Sequence, residues 1–113
     1  MMKLDIHPEL KSQAIITSIE VKGNAKRVRF EFDYMEKPNK WFMSIYNTQS
    51  GESYVLNVPL VASYYAKNNL LAPYAYKDIG EVVCVPVVDE PSSVDPEGEN
   101  LGEFAVIWGE EIA

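Results

Sequence analysis

The sequence predicts one all-β domain, mainly antiparallel, folded as a small barrel or sandwich of about six strands with at most one short helix. Its 113 residues suit a single domain. Polar and apolar side chains alternate over residues 27–34, which is the period of a strand with one buried face. Similar short runs recur along the chain between segments rich in Gly, Pro and Asn.

The first two strands are predicted to form an antiparallel pair. Residues 14–21 are rich in β-branched side chains, and residues 27–34 follow after a short gap. Gly23 and Asn24 lie in that gap, and both tolerate the positive φ angles of a tight hairpin turn.

Two further strands extend this pair into a four-stranded meander. Residues 41–46 form the third strand and residues 53–58 the fourth, with a polar, glycine-containing loop over 47–51 between them. Pro59 has no backbone N–H, so the fourth strand is expected to end there or to lie at a sheet edge.

The second half of the chain is less regular. Residues 62–71 are expected to make one or two helical turns or an irregular segment, with Pro73 ending any helix. A short apolar strand over 82–88 is interrupted by Pro86, and residues 104–108 form the last strand.

The domain organisation follows from these patterns. Residues 1–12 show no periodicity and are interpreted as an N-terminal arm. Residues 13–113 form the single β domain, with an acidic loop at 89–103. The net charge of −7 is uneven, because residues 81–113 contain nine acidic and no basic side chains.

Composition excludes several classes of function. An acidic chain gains nothing from neutralising phosphates, so we expect no nucleic-acid binding. No apolar run approaches the roughly 20 residues that span a bilayer, so we expect no direct membrane insertion. Asp5 stands where a signal peptide would have apolar residues, which favours synthesis and retention in the cytoplasm.

No pattern of catalytic residues is present in the sequence. His7 is the only histidine and stands before Pro8 in the arm, away from any nucleophile. Cys84 is the only cysteine and lies in an apolar run, which is typical of a buried small hydrophobe. The sequence contains no phosphate-binding loop and no metal-binding histidine pair. We therefore expect no enzyme and no cofactor.

The acidic loop is a candidate contact surface. Its carboxylates could hold a hard cation, but their spacing does not match the calcium-loop pattern and its prolines limit wrapping around an ion. The sequence favours a solvated loop or an electrostatic surface for a basic partner, with Asp95, Glu97 and Glu99 as candidate interface residues.

Tyrosines cluster in the middle third of the chain. Tyrosine is enriched where one end of a side chain is buried and the other meets a polar partner. Either the sheet core or an interface explains them equally well. The candidate interface residues are Tyr64, Tyr65, Tyr74 and Tyr76.

Several short motifs follow one another in a defined order along the chain. The strand Lys40–Tyr46 is followed by a Gly-containing turn, Val58-Pro59-Leu60-Val61 and Asn69-Leu70-Leu71. Asn100-Leu101-Gly102-Glu103 then precedes the final strand. This order resembles that of the small baseplate plug proteins of contractile-tailed bacteriophages. The resemblance covers residues 13–108, and the sequence departs from the family at Ala62-Ser63, where members often have glycine.

This resemblance implies a non-enzymatic virion structural protein of a phage or prophage tail, made in the host bacterial cytoplasm. Its partners would be hub, spike or tube proteins at the end of the tail tube, and self-association is left open. The positions that match are interpreted as fold determinants: Trp41, Pro59, Leu60, Leu70, Leu71 and Gly102. The alternative is a stand-alone ligand- or carbohydrate-binding β domain, in which exposed tyrosine rings stack on a sugar.

Overall fold

The computed structural model describes residues 2–111, which form a sandwich of two antiparallel sheets. The four-stranded sheet has the order β2 (Ser12–Val21), β3 (Asn24–Met35), β4 (Lys40–Asn47), β5 (Ser53–Pro59). The three-stranded sheet has the order β1 (Met2–Lys3), β7 (Phe104–Gly109), β6 (Glu81–Pro86). The predicted all-β class is confirmed, and over residues 2–111 the strands do not close into a barrel.

The β2–β3 hairpin contains the alternating strand. Val28, Phe30 and Phe32 are buried on one face of β3, as predicted. The turn differs from the prediction by one residue, because Val21 pairs with Asn24 and the positive φ angles fall on Lys22 (52°) and Gly23 (78°). Asn24 is therefore the first residue of β3.

The other edge of the four-stranded sheet is irregular. The pairing of β4 with β5 shifts register around Ile45, and Asn57 in β5 has a φ angle of 53°. β5 ends at Pro59, as predicted for an edge strand. After it, Leu60 donates its N–H to the carbonyl of Trp41 at 2.9 Å.

The segment between the sheets differs from the prediction in where its helical turn lies. Residues 63–71 are irregular, and a 3₁₀ helix occupies Ala72–Lys77. Pro73 does not end this helix but lies in its first turn, where the missing N–H would have no helical partner. Asn69 joins the segment to β6, because its Oδ1 accepts the N–H of Val82 at 3.1 Å.

Residues 2–6 of the predicted arm pack against the three-stranded sheet rather than extending from it. Met2 pairs with Trp108 across β1 and β7, and the N–H of Leu4 donates to Val106 at 2.9 Å. The Leu4 side chain is buried, so removing its apolar surface from water favours this docked position.

Two fully buried tryptophans each fix an irregular segment to the core. The indole Nε1 of Trp108 donates to the carbonyl of Ile79 at 2.7 Å, just before β6. The indole Nε1 of Trp41 donates to the carbonyl of Glu97 at 2.8 Å, in the connection between β6 and β7. A buried indole N–H needs a partner, so each tryptophan sets the position of a distant backbone group.

Gly80 is required where β6 approaches β7. A Cβ at this position would lie 2.4 Å from the carbonyl oxygen of Gly109, and its φ angle is +86°. Only glycine satisfies both conditions without shifting the backbone. Within residues 2–111, no helix has the length and apolar character to cross a membrane.

We predict that Trp41→Phe destabilises the domain by about 2–4 kcal/mol, because it leaves a cavity and an unpaired carbonyl at Glu97. Urea unfolding measures this free energy. The matched control is Trp108→Phe, which removes the other buried indole and its bond to Ile79. A glutamate-specific protease should cut the β6–β7 connection faster in Trp41→Phe only, and equal cleavage in both variants would contradict this role of Trp41.

We also predict that the Cys84 thiol is unreactive in the folded protein. Burial, with a smaller effect of the Asp95 charge, raises the pKa of Cys84 to about 12. At neutral pH the nucleophilic thiolate is therefore almost absent. Iodoacetamide labelling followed by mass spectrometry should be slow in buffer and complete in denaturant, whereas rapid labelling of the native chain would be inconsistent with this burial.

Candidate interaction surfaces

The β6–β7 loop, residues 87–103, has its own internal framework around Asn100. The Asn100 side chain is only 7% exposed. Its Nδ2 donates to Ser93 Oγ at 2.6 Å, and its Oδ1 accepts the N–H of Glu97 at 2.7 Å. Its backbone carbonyl accepts the N–H of Glu103 at 2.9 Å. The buried amide thus ties Asn100 to two earlier positions in the loop, and its backbone carbonyl bonds the turn that follows.

The loop is also attached to the four-stranded sheet. Besides the bond from Trp41, the N–H of Gly98 donates to Asn39 Oδ1 at 3.1 Å. The Lys11 ammonium donates to the carbonyl of Gly98. These contacts come from the start of β2 and the β3–β4 turn, so the loop forms a fixed surface rather than a free tether.

Asp95, one of the candidate interface residues, makes contacts within the chain. Its Oδ1 accepts the N–H of Ala62 at 2.9 Å, and its Oδ2 lies 3.6 Å from Lys40 Nζ. Its side chain is 19% exposed. The carboxylate therefore holds the loop against Ala62, which follows β5, and against Lys40. Its place in an interface stays a prediction.

Glutamates from two parts of the chain line an open cleft of about 490 Å³, which we call the acidic cleft. Its four carboxylates belong to Glu36, Glu97, Glu99 and Glu103. Glu103 Oε1 accepts two hydrogen bonds from Ser92, both at 3.1 Å. The described lining contains no lysine or arginine, although the Lys11 ammonium contacts the carbonyl of Gly98 at its border. Four carboxylates against this one ammonium favour a basic partner.

The cation alternative finds no support in this arrangement. Among residues 2–111, no group of three or more His, Cys, Asp or Glu side chains has the geometry to hold a metal ion. The carboxylates of the cleft line a surface instead of converging on one point.

Tyr64 and Tyr65 line a second, apolar depression of about 550 Å³ with Pro91 and Val94, which we call the tyrosine groove. The Tyr64 hydroxyl donates to the carbonyl of Val94. Partial burial, followed by the charge of Asp95, raises the pKa of Tyr64. Tyr65 is fully exposed, so its ring is available to a partner.

The other two candidate tyrosines lie on the 3₁₀ helix at 72–77. Tyr74 packs against the hydrophobic core, while Tyr76 is exposed. Lys77 Nζ lies 5.8 Å from the centre of each ring. The four tyrosines therefore belong to two separate structural elements, and only Tyr64 and Tyr65 share a groove with the β6–β7 loop.

The predicted fold determinants occupy different environments. Trp41, Leu60, Leu70 and Leu71 are buried, whereas Pro59 and Gly102 are exposed. Gly102 lies in a 3₁₀ turn at Leu101–Glu103 and does not have a positive φ angle. A Cβ there would lie 3.3 Å from Pro8 Cγ, so Gly102 lies close to the N-terminal segment.

Sequence reasoning missed Glu36, Asn39 and Ser92. Glu36 is in the β3–β4 turn, far along the chain from the β6–β7 loop, and lines the acidic cleft together with that loop. Its only local signal was its charge, which an ordinary solvated turn residue shares.

A comparison with known protein families identifies the family of this chain. The family model described as cyanophage baseplate Pam3 plug gp18 matches residues 1–111, nearly the whole chain. No curated protein matches the chain. On the extent of the family match, this chain belongs to a family of baseplate plug proteins of phage tails.

Proposed function

We propose that this baseplate structural protein acts at the end of the tail tube, where it contacts hub, spike or tube proteins through the β6–β7 loop. Membership of the plug family implies a place in the tail baseplate of the virion. The surface and the position in the tail are the parts that we propose.

One observation supports this assignment most directly: the acidic cleft and the tyrosine groove meet at Ser92, which lines both. An aromatic, apolar patch bordered by charge is the usual composition of a protein interface. The loop is fixed by Trp41, Asn100 and Asp95, so little conformational entropy is lost when a partner binds it.

We also propose that the protein has no catalytic activity. His7 lies in the N-terminal segment, where its ring nitrogens are 3.9 Å from Asp5 and 3.6 Å from Glu9. Neither contact places it beside a nucleophile. Cys84 is buried and has a raised pKa, so it is a poor nucleophile. Synthesis in the host cytoplasm suits its unpaired thiol.

The direct test uses a contractile-tailed phage that encodes this chain. Quantitative mass spectrometry of purified tails should find a few copies for each tail, far fewer than the tube subunit. Absence from intact tails would overturn the proposed position.

We predict that Glu36→Gln, Glu97→Gln and Glu99→Gln together reduce incorporation into tails. These side chains line the cleft and accept no hydrogen bond from residues 2–111, so the free energy of unfolding should change by less than about 0.5 kcal/mol. Loss of electrostatic complementarity should slow association and reduce its dependence on salt.

The matched control removes the same charge elsewhere, with Asp5→Asn, Glu9→Gln and Glu52→Gln. Incorporation is measured by mass spectrometry for both triple variants. An equal loss in the two would show that net charge matters and the cleft does not.

We predict that Tyr65→Ser also reduces incorporation while unfolding is unchanged, because the ring is fully exposed in the free chain. Exposed aromatic rings contribute strongly when a partner buries them. Tyr76→Ser is the control, since Tyr76 is exposed on the 3₁₀ helix at 72–77. A larger effect of the control variant would move the contact surface to that helix.

A further inference from the structure

Of the four sheet edges, β2 is the one with a long unpaired backbone. β1 at the edge of the smaller sheet has two residues, and β6 is covered by bonds from Ser63 and Leu70. β5 is shortened by register shifts and ends in Pro59. β2 pairs with β3 in unbroken register over ten residues.

One hydrogen bond shows which backbone N–H and C=O groups of β2 point to the open edge. The N–H of Tyr34 donates to the carbonyl of Lys11 at 2.8 Å, so Lys11 and Tyr34 form a hydrogen-bonded pair. Such pairs alternate along an antiparallel ladder, so the odd-numbered residues of β2 bond to β3. The even-numbered residues direct their N–H and C=O groups to the open edge: Ser12, Ala14, Ile16, Ser18 and Glu20.

This edge has none of the features that usually block strand pairing. β2 contains no proline and no lysine, and its only charged side chain is Glu20. Across residues 2–111, no hydrogen bond to the edge-directed backbone groups from Ala14 to Glu20 is present. Ile16, at the centre of the strand, is 55% exposed. A long, open edge strand is a template for another strand.

The edge is complementary to itself. In an antiparallel pair of β2 strands with a two-fold axis through Ile16, Ile16 of one copy lies opposite Ile16 of the second copy. Ala14 then faces Ser18, and Ser12 faces Glu20, so no like charges are opposed. Five pairs of edge-directed residues would exchange about ten backbone hydrogen bonds.

Shifting the axis by two residues is less favourable. An axis through Ser18 would put Ile16 opposite the charged Glu20, and an axis through Ala14 would leave Glu20 without a partner. The axis through Ile16 alone uses the whole edge and covers the exposed isoleucine.

We propose that two copies of this chain associate through antiparallel pairing of β2 with β2, joining their four-stranded sheets into one. The outer faces of β2 and β3 carry Glu20, Arg27, Arg29, Glu31 and Asp33, so charge near the pairing line is nearly balanced. The net charge of −7 on each copy opposes association at long range, and added salt therefore strengthens the dimer.

Sedimentation of the full chain, from low micromolar to near-millimolar concentration and at low and high salt, tests the proposal. The expected result is a monomer–dimer equilibrium that shifts towards dimer with concentration and with salt. A monomer under all of these conditions would overturn it.

Ile16→Lys locates the contact. It puts two like charges on the two-fold axis and should raise the dimer dissociation constant by roughly tenfold or more. Leu56→Lys is the matched control, because Leu56 is 53% exposed on β5 at the opposite edge. Equal weakening by both variants, or by the control alone, would contradict pairing through β2.

Ser18→Pro tests the backbone hydrogen bonds themselves. Its N–H points to the open edge, where proline is tolerated within an edge strand but cannot donate to a second strand. Dimerisation should be lost in Ser18→Pro and kept in Ser18→Ala, with folding of each checked by circular dichroism. The wild-type chain could instead be monomeric while the Ser18→Pro variant still fails to enter tails. That result would assign the β2 edge to another tail protein and overturn the proposed dimer.

Discussion

The hydrogen bond from the Trp41 indole to the carbonyl of Glu97 links the core of the protein to its candidate contact surface. The indole is fully buried in the four-stranded sheet, and Glu97 lies 56 residues away in the β6–β7 loop. A buried N–H without a partner costs free energy, so native packing of the sheet is more stable when the loop is in place. Folding of the core and positioning of the acidic cleft are therefore coupled.

Trp108 has the corresponding role in the smaller sheet. Its indole donates to Ile79, and its ring packs edge to face on Phe30 at a centroid distance of 5.1 Å. The two tryptophans thus fix the two irregular connections of the sandwich, one before β6 and one after it. Gly80 allows the first connection to pass against Gly109, where any side chain would collide with the backbone.

Rigidity of the β6–β7 loop would give its charges a role in the proposed interface that a mobile acidic tail would not have. Asp95 and Glu103 accept hydrogen bonds within the chain, and Glu36, Glu97 and Glu99 are the carboxylates that the proposed interface uses. A fixed arrangement can discriminate among basic partners, because like charges or unpaired groups are penalised at defined points. The open β2 edge belongs to a different element and offers backbone groups instead of charge, so the two proposed contact surfaces are independent of each other.

Features with a local physical cause were determined by the sequence itself. Alternation along residues 27–34 predicted β3 because side chains of a strand point to opposite faces in turn, and the lack of basic residues after position 80 predicted an acidic surface. Proline and glycine content predicted where strands end. The tertiary structure alone decided the one-residue shift of the β2–β3 turn, the docking of residues 2–6 and the internal use of Asp95. It also placed Tyr64 and Tyr65 on a different element from Tyr74 and Tyr76. All of these outcomes depend on contacts between segments far apart in the chain, and such contacts leave no local pattern in the sequence.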